Sequence, residues 1–127
     1  MRFAPSDTVG GRFISAYGPG GIVVTGRSHR ETLLLSPDAA ESPWGPRSVE
    51  ELRDAHLASM LALAPQLLLI GTGPRGLRVP PGVLAPALER GIGVEVMATA
   101  AACRTYNVLL GEGRRVVALL LPMGLAD

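Results

Sequence analysis

Apolar and polar positions fall into two different rhythms along the chain. From 12 to 35, short apolar runs alternate with turn residues: RFISAY, then Gly18-Pro19-Gly20-Gly21, then IVVT, then Gly26, then a longer run ending in ETLLLS. Glycine and proline at these points supply the positive or fixed φ angles of tight turns, so the segment predicts an antiparallel meander. The following SPDAAESPWGPR, Ser36 to Arg47, holds three prolines and one glycine. It is expected to form a loop or a crossover covering the sheet rather than a ladder or a helix.

Beyond it the period changes. Ser48 and Glu51 have the spacing of a capping box, which predicts a helix from Val49 that ends by Pro65. The run QLLLIG is apolar without alternation and too short for a helix, as expected of a strand buried on both faces. A βα rhythm follows: strand 67–70, helix 82–90, strand 92–97, helix 100–110 and strand 115–121. Alternating strands and helices imply parallel pairing through crossovers. The expected architecture is a mixed α/β fold, an N-terminal antiparallel β meander followed by βαβαβ, in one mixed sheet with helices packed against it. A single domain over 1–127 is expected, with an ordered core of about 12–121.

Composition narrows the function classes. Of 127 residues, 47% are apolar and 18% charged, which excludes a disordered chain, while only 4% are aromatic, so the core must come from Leu, Val, Ile and Ala. Cys103 is the sole cysteine. That excludes an intrachain disulfide or a multi-cysteine metal site and suits a reducing compartment. A net charge of +1, carried on scattered arginines with no lysine, gives no basis for nucleic-acid binding. MRFAPSDTVG is expected to be neither signal peptide nor anchor. The most apolar stretch, Met60 to Ile70, is broken by Pro65 and Gln66 and falls short of the roughly 20 residues that span a bilayer. The expectation is a cytoplasmic protein without membrane insertion.

Candidate chemistry is sparse. Gly71-Thr72-Gly73-Pro74-Arg75-Gly76 reads as G-x-G-x-x-G after a buried strand, with Glu95 further on where a dinucleotide fingerprint places its acid. In that fingerprint the helix opens on the glycine turn so that its amides meet the pyrophosphate. Here Pro74 and LRVPPG delay the next helix, and the stretch reads as a glycine-rich exit loop. Thr99 is expected to cap the helix AAACRTYNVLL through its hydroxyl. Both stretches leave the carboxyl ends of strands expected to be parallel, where α/β sheets place their ligand crevice. Thr72, Gly73, Arg75, Thr99 and Arg104 therefore form a candidate anion rim; a capping Thr99 and an ion-paired Arg104 explain the same residues without a ligand. Cys103 beside Arg104 is either an activated or a packed thiol. His29 in a strand and His56 in a helix match no triad. Trp44, in the loop PWGP, is either a lid on the core or a partner-binding residue.

Three blocks, LLLIGTG at Leu67 to Gly73, GIGVEVM at Gly91 to Met97 and ACRTYNVLL at Ala102 to Leu110, resemble in order those of a small α/β domain family of unknown function. That family includes a mitochondrial complex I assembly factor and an adipogenesis-associated protein. The resemblance spans about Phe13 to Leu121. It departs at Ala98, where the family usually has an acid, and at an alanine replacing a glycine soon after Thr99. It implies a compact mixed sheet with helices, and a non-catalytic assembly role in the mitochondrial relative. No catalytic residue, metal or cofactor is expected. The chain is read as an interaction or assembly-type module binding protein partners, as a monomer or weak homodimer. The alternative is a small-molecule or anion binder using the strand-end crevice.

Overall fold

Strand β6 (Leu67–Gly71) is the axis around which the protein is built, and all five of its residues are buried. The structure, a computed structural model, describes residues 11–124. The opening stretch MRFAPSDTVG lies outside the described residues. On one side β6 pairs in parallel with β7 (Gly93–Met97), on the other in parallel with β8 (Val116–Leu120). β4 (Leu33–Leu35) adds antiparallel to β8, and the two-residue β5 (Ala40–Glu41) closes the edge, giving the order β5-β4-β8-β6-β7.

Alternate residues of the unbroken apolar runs enter different cores. Leu33, Leu35, Leu67, Leu69, Val116, Ala118 and Leu120 face one core, and Leu34, Leu68, Ile70, Val117 and Leu119 face the other. Period-two geometry allows no other division when both faces are covered. The second core is completed by α1 (Asp54–Leu61) and α2 (Pro81–Glu89). The first is completed by α3 (Thr99–Gly111) and by β1 (Ile14–Gly18) and β2 (Gly21–Val24). The chain moves from β6 to β7 in one direction and from β7 back across β6 to β8 in the other. Crossovers of one hand then place α2 and α3 on opposite faces, as their membership of the two cores shows.

The mixed α/β class and the meander are as expected, but the strands divide between two sheets instead of one. β1, β2 and β3 (Arg27–His29) form a separate three-stranded antiparallel sheet, order β1-β2-β3, termed the outer sheet, the five-stranded one being the inner sheet. The single run expected to end in ETLLLS breaks between His29 and Leu33, and only its second half joins β8. Its ends are chemically different: β3 is largely exposed whereas β4 is wholly buried.

Two helix starts also differ from expectation. Val49–Glu51 is only a 3-10 turn, because Leu52 returns to extended backbone at φ −68°, ψ 127°. Ser48 makes no side-chain cap; the Glu51 carboxylate instead accepts from the backbone amide of Arg47 at 3.0 Å. The helix proper starts at Asp54, where His56 Nδ1 accepts the Arg53 amide at 2.9 Å. Proline-rich 36–47 is not wholly without ladder, since β5 lies within it.

Candidate functional site

The strand-end crevice is closed by a knot of hydrogen bonds. β6 and β7 are adjacent, with Gly71 opposite Met97, so the Gly71 loop and the start of α3 meet. Thr99 does not cap α3; it is the first helical residue, after Ala98. Its fully buried hydroxyl accepts the Gly73 amide at 2.8 Å and donates to the Leu121 carbonyl at 2.7 Å. The Thr99 amide donates to the Gly73 carbonyl, and the Leu121 amide to the Gly71 carbonyl. One side chain thereby ties the ends of β6, β7 and β8. The approach demands glycine at 71: a Cβ there would lie 2.8 Å from Thr99 Oγ1 and 2.9 Å from its Cα. Gly73, at φ +106°, supplies the left-handed turn.

Thr72 is equally committed. Its amide donates to the Met97 carbonyl at 2.8 Å, and its hydroxyl lies 2.8 Å from the Arg75 carbonyl while accepting the Leu77 amide at 3.1 Å. The structure brings Thr72, Gly73 and Thr99 together, with their polar groups bonded within the protein. The Arg75 side chain is exposed, and Arg104 Nη1 donates to the Tyr17 phenol oxygen at 2.6 Å, joining α3 to β1. That bond belongs to a second attachment which the sequence reading missed. Asn107 Nδ2 donates to the Ile14 carbonyl at 2.7 Å, and its Oδ1 accepts the Ile14 amide at 2.9 Å. A paired amide clamp of this kind has no local sequence mark, because its partner is 93 residues away.

Cys103 is fully buried between these attachments, free, and part of the first core. Burial pushes its thiol up to about 12, outweighing the opposite pull of Arg104. It is therefore a packed thiol, protonated at neutral pH. Tyr106, also fully buried, has its phenol raised by the same cause. Among the described residues no cluster of His, Cys, Asp and Glu has metal-holding geometry, and no helix is long and apolar enough to cross a membrane.

A roomier concavity lies elsewhere. Trp44 lines a cleft of about 600 Å³ together with Arg30, Glu31, Thr32, Arg47 and Pro122. Its half-buried ring packs on the second core and meets the His56 ring edge-on at 5.7 Å between centroids. The loop is held by the Trp44 amide donating to the Thr32 carbonyl at 3.0 Å and by the Thr32 hydroxyl donating to the Pro46 carbonyl at 2.6 Å. Gly45, at φ +62°, lies over the His56 ring. Trp44 was legible as a candidate from its isolation in PWGP. The flanking Arg30 and Arg47 were not, since they belong to different segments.

The family described as "Protein of unknown function (DUF498/DUF598)" matches residues 14–121. An uncharacterised protein of Rhodobacter capsulatus is 44% identical over 112 residues, covering 87% of this chain and 84% of that protein. The bovine (Bos taurus) NADH dehydrogenase [ubiquinone] 1 alpha subcomplex assembly factor 3 is 34% identical over 112 residues, covering 87% of this chain. The chain spans 60% of the length of that assembly factor. Among solved structures, a Bordetella pertussis protein described as a Mth938-like domain superimposes with a TM-score of 0.81 at 30% identity, covering 99% of this chain and 95% of that one.

Proposed function

The chain belongs to this family of proteins of unknown function, and from that premise we propose that it is a non-catalytic interaction or assembly-type module that works in the cytosol and engages a protein partner at Trp44. The observation that carries the reading is the likeness, over 87% of the chain, to a protein named as an assembly factor. Two structural features support it. The polar groups of Thr72, Gly73 and Thr99 at the strand ends are bonded to neighbouring groups within the protein, and catalysis needs groups aimed at a reacting atom. Trp44, by contrast, is packed on the second core and still partly exposed to the cleft, the disposition of aromatic residues that anchor interfaces.

The test is site-specific crosslinking. A photoreactive phenylalanine analogue at position 44 is expected to give reproducible protein adducts in the cells that make the protein. The same analogue at Val108, exposed on α3 away from the cleft residues, is the control. Position 44 giving no adducts beyond those of position 108 would sink the reading.

A further inference from the structure

The Trp44 cleft continues into a second one of about 380 Å³, lined by Arg27, His29, Arg30, Glu31 and Pro43, so that Arg30, Glu31 and Pro43 belong to both. Three guanidinium groups and an imidazole thus share one surface with a single lining carboxylate. The segments that bring them together are the β3 end of the outer sheet and the loop before α1, separate in sequence and joined only by the fold.

These arginines are not neutralised inside the protein. The ion pair among the described residues is Arg115 to Asp38, at 2.8 Å, outside this surface. Arg30 Nε donates to the neutral Gly20 carbonyl at 3.2 Å. At Arg47 it is the backbone amide, not the guanidinium, that binds the Glu51 carboxylate. The imidazole of His29 is held below its ordinary value by burial and by the positive charge of Arg27, as expected where cations outnumber anions.

We infer that this continuous cleft binds an acidic peptide segment of a partner protein, with Arg30 and Arg47 taking carboxylates and the edge of Trp44 taking an apolar side chain between them. The inference rests on the interaction reading above and gives the partner its chemistry. Guanidinium forks match carboxylates in a two-point geometry, and an aromatic edge between them rewards an intervening apolar residue. Glu31 inside the cleft opposes a uniformly charged polyanion such as a nucleic-acid backbone, and a net charge of only +1 supplies no long-range attraction for one.

Trp44 is the only tryptophan, so its fluorescence reports on the cleft directly. The experiment titrates the whole protein with a Glu–Leu repeat peptide, its Gln–Leu counterpart, and oligothymidylate. The Glu–Leu peptide is expected to bind about tenfold tighter than the Gln–Leu peptide, a difference of about 1.4 kcal/mol. Added salt should erase most of that advantage. Arg30→Glu combined with Arg47→Glu should abolish it, and Arg30→Gln combined with Arg47→Gln should reduce it, both at an unchanged thermal midpoint because these side chains are exposed. Equal affinity for the two peptides, binding untouched by the arginine variants, or tighter binding of oligothymidylate overturns the inference. In each of those cases, crosslinks that persist from position 44 leave the interaction reading standing, so the two failures are distinguishable.

Discussion

The Thr99 hydroxyl and the Gly73 amide meet at 2.8 Å inside the protein, and the same hydroxyl donates onward to Leu121. Both bonded backbone groups would lose a buried partner together in Thr99→Val. The expected loss is about 2–6 kcal/mol of unfolding free energy, since each of the two buried polar groups left unsatisfied costs about 1–3 kcal/mol. Thr99→Ser keeps the hydroxyl and should lose under half as much. Urea denaturation of the two variants makes the comparison; a larger loss in Thr99→Ser than in Thr99→Val would mean that the methyl group matters and the hydrogen bonds do not.

Asn107→Ala tests the attachment of the outer sheet. Removing the amide releases both bonds to Ile14 and should cost about 1–3 kcal/mol. The effect should be uneven. Hydrogen exchange is expected to accelerate at β1 and β2 more than at β6 or β8, because α3 also packs on the inner sheet through Ala102, Cys103, Tyr106 and Leu110. Uniform acceleration would show that the clamp is part of one indivisible unit.

Cys103 should resist alkylation in the native state at neutral pH and react promptly once urea unfolds the chain. The pH dependence has a definite sign. The folded thiol holds its proton up to about 12 against an ordinary value of 9.0, so in that window the unfolded chain releases a proton that the folded chain keeps. Stability therefore falls as pH rises through the window and is unaffected by this group below it. Cys103→Ala should flatten the alkaline limb of the stability curve relative to the parent protein. An unchanged limb would assign it wholly to other groups, Tyr106 first among them.

Phosphate titration followed by amide NMR should leave Thr72, Gly73 and Thr99 unshifted, because their amides already donate to Met97, to Thr99 Oγ1 and to Gly73. A saturable shift at these three positions would establish the anion-binding alternative, and its loss in Arg104→Ala would bring that residue into the site.

Sequence legibility followed the range of the interactions involved. The strand at Leu67 to Gly71 was plain because burial on both faces leaves a local mark, an apolar run without alternation. α2 and α3 fell within a residue of expectation because their ends are also marked locally, by Pro81 and Gly91 and by Gly113. Ser48 and Thr99 show the limit: each has the residue type of a cap, but Ser48 precedes only a single turn and Thr99 spends its hydroxyl on distant backbone. The division into two sheets was equally hidden, since His29 and Leu33 sit in what looks like one strand. What separates them is the demand of β8 for a partner, and β8 comes more than 80 residues later. The arginines of the Trp44 cleft were unreadable as a set because only folding brings Arg30 beside Arg47.

The Thr99 knot also orders events in time. Its bonds close loops of 26 and 22 residues, and the second cannot form until β8 has settled beside β6. A partly made chain that ends before Leu121 can assemble the first βαβ unit and still lack the partner for this hydroxyl. The Leu121 contact thus acts as a seal set after the Gly73 one, and the exchange rate of the Leu121 amide, which donates to the Gly71 carbonyl, reports whether the last strand has arrived.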